Sequence, residues 1–200
     1  MQHSRVLFDG NGYSEDWIVE AEKRGLPHLR STVEALPALV SDKTLQLFAK
    51  HQVFSSTELH SRYEVYLEHY SKSINIEAQA MIDIAKRQIL PVVVRYATEL
   101  AQSINAIRTA HAEAEVSAQA ALLQETSSLL KVLNERINTL LTATSKAKEL
   151  HGDAYEQGMY YRDVVFKAMN ELREVADQLE VLVDYELWPL PSYTQMLFML

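Results

Sequence analysis

The stretch that decides the fold runs from residue 55 to residue 107, SSTELHSRYEVYLEHYSKSINIEAQAMIDIAKRQILPVVVRYATELAQSINAI. Ser55 and Glu58 form a capping-box pattern, which is typical of a helix start. Apolar residues then recur at intervals of three and four, as they do on one face of a helix. They are Leu59, Tyr63, Tyr66, Tyr70, Ile74, Ala78, Met81, Ala85, Ile89, Val92, Tyr96, Leu100, Ile104 and Ile107. Pro91 interrupts this pattern; it removes the hydrogen bond to the Arg87 carbonyl group and should kink the helix.

Two further apolar stripes with helical spacing follow downstream. The second is Ala118, Leu122, Leu129, Leu133, Ile137, Leu140, Thr144 and Ala147. The third is Tyr155, Met159, Phe166, Met169, Leu172, Ala176, Leu179, Val183 and Leu187. The sequence predicts a turn near residues 113–116, a tight joint at Leu150–Asp153, and a helix end at Trp188–Pro191. Three long segments joined in this way form an antiparallel helical bundle.

Glycine is scarce and unevenly placed. The 200 residues include five glycines and five prolines. Gly10, Gly12 and Gly25 lie near the start, and none lies between Leu26 and His151. We therefore expect residues 1–55 to form short elements and residues 56–200 to form a long-helix bundle domain.

The first region combines turn signals with helix starts. Residues 4–8 are apolar and β-prone, and could form one strand, which would need a partner strand from elsewhere. The Asp9–Gly12 segment favours a turn; it lacks the Lys-Ser/Thr that follows a phosphate-binding loop. Ser14, Ser31 and Ser41 each precede a helical pattern as N-caps. The fold class predicted is all-α: short helices and possibly one strand, then an antiparallel bundle of long helices.

Charge and composition exclude several classes of protein. Lys and Arg number 19 against 27 Asp and Glu, a net charge of −8 that disfavours a nucleic-acid partner. Cysteine is absent, which excludes disulfides, thiolate metal sites and cysteine nucleophiles. The longest internal apolar run, residues 89–94, is far too short to span a membrane. We expect no membrane partner and a cytoplasmic location.

The candidate chemical groups do not form a recognisable active site. The pairs His60–Glu64 and His111–Glu115 are spaced by one helical turn, which favours surface pairs over a metal or catalytic site. Tyrosines at helical spacing favour core or interface positions over stacking platforms for bases. They are Tyr63, Tyr66 and Tyr70, with the pair Tyr160 and Tyr161 further along. We therefore assign no catalytic, cofactor-binding or metal-binding residue.

Several segments nevertheless resemble one family closely. Residues 6–17 (VLFDGNGYSEDW) and 20–27 (EAEKRGLP) resemble the stretch that follows the catalytic core of type III glutamine synthetases. The likeness continues in the family's order through EALPA (34–38), ELHSRY (58–63), IEAQA (76–80), AKRQILP (85–91), YYRD (160–163) and ELWPLP (186–191). Residues 110–130 match least clearly.

The resemblance implies a parent enzyme that makes glutamine from glutamate, ammonia and ATP with Mg²⁺ or Mn²⁺. Such enzymes assemble as dodecamers, and their nucleotide, metal and glutamate ligands lie upstream of the part matched here. This chain looks like the C-terminal portion alone: the end of the catalytic domain, then the family-specific helical domain. The missing catalytic sheet would then supply the partner for the strand at Arg5–Phe8. The resemblance implies no cofactor in this chain, and as partners the rest of the parent subunit and neighbouring subunits.

Two hypotheses follow. The first is a non-catalytic C-terminal domain of a type III glutamine synthetase that serves subunit packing or oligomer assembly. The alternative is a stand-alone helical adaptor or regulatory binding module with no enzymatic parent. The first hypothesis predicts exposed apolar surface near Val6–Phe8 and Trp17, where the catalytic domain would dock. Residues 196–200 form either a docking tail or a flexible end.

Overall fold

The computed structural model describes residues 6–150 and 152–198, apart from the side chain of Tyr193. The all-α prediction is confirmed, and the described residues contain no strand. Residues 6–8 are therefore not a strand, because a strand needs a partner; Ser4 and Arg5 lie outside the described residues. The chain divides into two compact units, Met1–Leu67 and Glu68–Leu200. The domain boundary predicted between residues 55 and 56 stays a prediction.

In the first unit, a series of short helices precedes the long helix that begins at Ser56. They are α1 (Glu15–Lys23), α2 (Thr32–Ala35), a 3₁₀ helix (Leu36–Val40) and α3 (Asp42–Lys50). Gly25 ends α1 with a positive φ of 66°, which a residue without a Cβ adopts readily. The Ser31 capping box is present: the Glu34 N–H donates to Ser31 Oγ at 3.3 Å and the Ser31 N–H to Glu34 Oε2 at 3.0 Å. Pro37 does not end this segment, which continues as the 3₁₀ helix to Val40.

Long helices form the second unit. The first segment is α4 (Ser56–Ile84, which begins in the first unit), a π-turn (Ala85–Ile89) and α5 (Leu90–Ala110); α6 (Ser117–Glu149) follows. The last segment is α7 (Ala154–Tyr160), a second π-turn (Tyr161–Val165) and α8 (Phe166–Leu182); a short α9 (Tyr193–Leu197) comes after it. The turn predicted near residues 113–116 is confirmed, since α5 ends at Ala110 and α6 begins at Ser117. At the second joint, the Gln157 amide donates to the carbonyl oxygens of Ala147 and Leu150, at 3.0 and 3.1 Å.

Helix α6 packs against both of the other segments, and its buried face forms part of the core of the second unit. It contacts both α5 and α8. Leu133, Ile137 and Leu140 of α6 are completely buried. They join one apolar cluster with residues of the other segments, among them Ala78, Val93, Val165 and Leu179. Arg136 of α6 and Glu171 of α8 form an ion pair at 2.7 Å beside this core.

The irregularity expected at Pro91 takes the form of the first π-turn. Its closing hydrogen bond runs from the Leu90 N–H to the Ala85 carbonyl group, five residues back. Pro91 therefore lies in the first turn of α5, directly after the ladder changes register. A proline has no backbone N–H to donate to the carbonyl group four residues back. The change in the helical hydrogen-bond pattern therefore occurs directly before Pro91. The second π-turn, which closes from the Phe166 N–H to the Tyr161 carbonyl group, has no proline beside it.

The predicted end of the last long helix was wrong by several residues. Helix α8 ends at Leu182, not at Trp188–Pro191, because Val183 is extended (φ −74°, ψ 145°). Asp184 then makes a turn: its carboxylate accepts from the Glu186 N–H at 2.8 Å, and its carbonyl group accepts from the Leu187 and Trp188 N–H groups. Leu187 and Trp188 still pack against the core, which is why the apolar stripe appeared continuous.

In the part of the chain that the structure describes, none of the helices is both long and apolar enough to cross a membrane.

Two valines of α8 provide a matched test of the bundle. Val175 is 6% exposed and Val181 is 86% exposed. We expect Val175→Ala to lower the free energy of unfolding by about 2 kcal/mol, because it removes two buried carbon groups and leaves a cavity. Val181→Ala should change it by less than about 0.5 kcal/mol. Urea denaturation of both variants measures the difference, and equal effects would contradict the burial of Val175.

Candidate functional site

An apolar cleft of about 370 Å³ lies on the second unit. One wall is the first π-turn region, which comprises the last turn of α4 and the π-turn itself; Met81 and Ile84 come from α4 and Ile89 from the π-turn. Leu172 and Ala176 of α8 form the second wall. Leu190 and Met196 of the C-terminal segment form the third. These side chains are all apolar, so the interior of the cleft can exclude water from a ligand of matching shape.

Local hydrogen bonds place the C-terminal wall. After the Asp184 turn, Pro189 and Pro191 favour an extended chain on either side of Leu190. Ser192 and Gln195 then form a capping box: the Gln195 N–H donates to Ser192 Oγ at 3.2 Å, and the Ser192 N–H to Gln195 Oε1 at 2.8 Å. This box starts α9 and directs Met196 to the cleft. Met196 is thus part of a short helix; Met199 and Leu200 of the predicted tail lie outside the described residues.

Charged side chains of α8 form the rim of the cleft. Arg173 and Asp177 pair at 3.4 Å, one helical turn apart. Glu180 follows on the same face and also lines the cleft. Across residues 6–150 and 152–198, the Glu180 carboxylate makes no hydrogen bond or ion pair. One carboxylate at the rim is therefore left without a counter-charge.

A second apolar surface lies at the start of the first unit. Val6 and Leu7 are 59% and 58% exposed, as predicted. Phe8 and Trp17 are more covered than expected, because their rings stack with centroids 4.6 Å apart. The Arg24 guanidinium lies about 6 Å from both rings and donates to the Leu7 carbonyl group. This arrangement holds Val6 and Leu7 on the outside of α1.

The His, Glu and Tyr residues that the sequence singled out are not among the described residues that line the cleft. His60 is exposed and its Nδ1 lies 2.8 Å from the Ser56 carbonyl oxygen. Glu115 accepts from the Ser117 N–H at the start of α6. Tyr70, Tyr160 and Tyr161 belong to the core of the second unit, as predicted for tyrosines at helical spacing, whereas Tyr66 is exposed. Asp9–Gly12 leads into a turn in which the Ser14 N–H donates to the Asn11 carbonyl group at 3.1 Å.

The arrangement of the described His, Asp and Glu side chains does not support a metal site. Within the described ranges, no three His, Asp or Glu side chains come together in a way that could hold a metal ion. The residues present thus do not fit the Mg²⁺ or Mn²⁺ that the family resemblance implies for the parent enzyme.

The sequence did not predict the cleft. Met81, Ile89, Leu172 and Ala176 sit at stripe positions, and a stripe cannot distinguish a core side chain from one that lines an opening. The signal that could have found the cleft is the Ser192–Gln195 capping box, which predicts a helix after Pro191.

Comparison with known proteins identifies the family. The family model described as the glutamine synthetase C-terminal domain matches residues 1–108. The chain belongs to the glutamine synthetase C-terminal domain family. The match covers the first unit and α4–α5, and it ends close to the end of α5 at Ala110.

Similarity to individual glutamine synthetases extends over the whole chain. The chain is 34% identical over 200 residues to a glutamine synthetase of Butyrivibrio fibrisolvens and 34% identical over 203 residues to a type-3 glutamine synthetase of Dictyostelium discoideum. It is 30% identical to a glutamine synthetase of Bacteroides fragilis over 96% of its own length. It spans 28% of the length of the first two relatives and 27% of the third. The resemblance to type III enzymes is thereby confirmed.

The surroundings of Glu58, Glu115 and Tyr161 shift their pKa values from the ordinary ones. The backbone and side chain of Ser55 donate to Glu58 Oε2, at 2.7 and 2.8 Å, and lower the pKa of that carboxyl group. The Ser117 N–H likewise lowers the pKa of Glu115. Burial raises the pKa of Tyr161. Because the pKa of Glu58 is lower in the folded chain, its contribution to stability is present above its ordinary pKa and is lost as the pH falls through the folded value.

The start of α4 provides a test of these hydrogen bonds. Ser55→Ala removes the hydroxyl donor but keeps the backbone N–H, which is the larger cause of the shift. We therefore expect the pKa of Glu58 to rise part of the way towards its ordinary value. Ser61→Ala, the same change at an exposed position within α4, should leave it unchanged. A carboxyl NMR titration measures both, and a Glu58 titration unaffected by Ser55→Ala would contradict the capping box.

Proposed function

We propose that this chain is the non-catalytic helical part of a type III glutamine synthetase and that it serves subunit packing or oligomer assembly. The observation that carries the proposal is the alignment of the whole chain with slightly more than a quarter of each of two glutamine synthetases. A separate catalytic region would occupy the remaining length of the parent. The family membership supports this reading over a stand-alone adaptor.

In this proposal the parent enzyme joins ammonia to glutamate with hydrolysis of ATP, with Mg²⁺ or Mn²⁺ as cofactor, in the cytoplasm. Its nucleotide, metal and glutamate ligands belong to the region outside this chain. The partners of the domain are then the rest of its own subunit and neighbouring subunits of a homo-oligomer, which we propose to be a dodecamer. Neither nucleic acid nor a membrane is a partner.

Exposed apolar side chains support a role in packing. Val6 and Leu7 lie next to each other, and each has more than half of its surface in water. Covering such side chains stabilises an interface by about 25 cal/mol for each Å² of apolar surface removed from water. The Phe8–Trp17 stack and the Arg24 contact fix the backbone on which these two residues are presented.

The first test is an activity assay on the chain itself. We expect no glutamine formation above background from glutamate, ammonia, ATP and Mg²⁺, because the described residues offer no metal-ligand cluster. The control is a full-length type III glutamine synthetase under the same conditions. Formation of glutamine by this chain alone would refute a non-catalytic role.

The second test is self-association. The isolated chain should sediment increasingly fast as its concentration rises, because Val6 and Leu7 would be covered by a second copy. The double variant Val6→Ser/Leu7→Ser should reduce this dependence. Val181→Ser, at a still more exposed position in the other unit, is the matched control and should not reduce it. A chain that stays monomeric at high concentration, or a control that acts like the double variant, would count against a packing surface at Val6 and Leu7.

A further inference from the structure

The apolar cleft of the second unit has the size of a small-ligand site. Its volume of about 370 Å³ falls in the range of roughly 300 to 1,000 Å³ that is usual for such pockets. Three separate pieces of chain enclose it, namely the first π-turn region, α8 and the segment that carries α9. A π-turn inside a long helix is itself a feature that occurs frequently at functional sites.

The interior of the cleft favours an apolar body. Met81 and Ile84 are only half-buried by the protein, and Leu190 and Met196 face them across the opening from an exposed segment. A ligand that covered these side chains would remove apolar surface from water on both partners, which favours binding.

The rim of the cleft favours a cation. It carries one guanidinium group, Arg173, and two carboxylates, Asp177 and Glu180, so one negative charge is left over. Arg173 is already engaged by Asp177 at 3.4 Å, whereas Glu180 has no such partner in the described part of the chain. The net charge of −8 adds to the attraction of cations and the repulsion of anions.

We propose that this cleft binds a small molecule with an apolar body and a single primary amine, with the amine against the Glu180 carboxylate. The inference rests on the cleft alone and is independent of the proposed role in a glutamine synthetase.

Three probes that share one apolar body test the proposal on the full chain: phenethylamine, 2-phenylethanol and phenylacetate. Methyl NMR signals report binding directly, since Met81, Ile84, Ile89, Leu172 and Met196 all line the cleft. We expect saturable shifts of these signals. Phenethylamine should bind about fivefold more tightly than 2-phenylethanol, the effect of one exposed ion pair. Phenylacetate should bind more weakly than both.

Two substitutions in α8 separate the charge from the rest of the site. Glu180→Gln should abolish the preference for the amine over the alcohol while leaving the affinity for the alcohol unchanged. Glu174→Gln is the matched control, because Glu174 is exposed on the same helix but does not line the cleft. It should leave the preference intact.

A third substitution tests the cavity itself. Ala176→Phe should fill the cleft and abolish the shifts for all three probes; circular dichroism checks that the helices remain. If that variant does not fold, Ala176→Leu serves in its place and should weaken the binding of each probe. Equal affinities for amine and acid, loss of the preference in Glu174→Gln, or binding that survives filling of the cleft would each overturn the proposal. Saturable shifts confined to methyl groups elsewhere would overturn it too.

Discussion

Helix α6 must be covered on two sides at once, and the architecture of the second unit depends on this requirement. A helix of 33 residues gains little stability from its own backbone, since most helical stability in proteins comes from the packing of apolar faces. Its buried residues Leu133, Ile137 and Leu140 need neighbours on both flanks. Helices α5 and α8 supply these neighbours. The connections before and after α6 are short, so the segments that precede and follow α6 pack directly against it.

The cleft lies where the first and last segments approach each other. Residues from the end of α4 and the first π-turn face residues of α8 across it. Leu172 of α8 and Ile89 of the first π-turn region are core residues that also reach the cleft. The segment after Asp184 turns back across it and closes the third wall. The cleft therefore depends on the end of α8, where the hydrogen-bonded ladder stops at Leu182 although the apolar pattern continues.

Much of the fold could be predicted because local signals agree with the packing. Ser31, Ser41 and Ser55 begin helices where the capping pattern placed them, and Gly25 ends one. The two π-turns differ in this respect. Pro91 lies beside the first one and indicates an irregularity there. The second has no proline beside it, and Gly158, three residues earlier, is a weaker signal because glycine only moderately disfavours a helix.

The end of α8 and the cleft were missed for a related reason. Leu187 and Trp188 pack against the core from a turn, and hydrophobic periodicity reports burial rather than backbone shape. The sequence gives even less indication of the cleft. Its walls combine residues of two apolar stripes with a short helix that lies far from the first stripe in the sequence. The first π-turn falls within AKRQILP, a segment that resembles type III glutamine synthetases, and the second begins within another such segment, YYRD.

The π-turns also mark the positions at which one residue can be deleted without disturbing the bundle. Each residue of an α-helix advances the side chains by about 100°, so deleting one from the middle of α6 would rotate everything after it away from its partners. A π-turn already holds one residue more than an α-turn. Losing one residue from Ala85–Ile89 or Tyr161–Val165 would convert that turn into regular α-helix and leave the faces beyond it in place. Related chains can therefore differ by a single residue at these two points while keeping the same bundle.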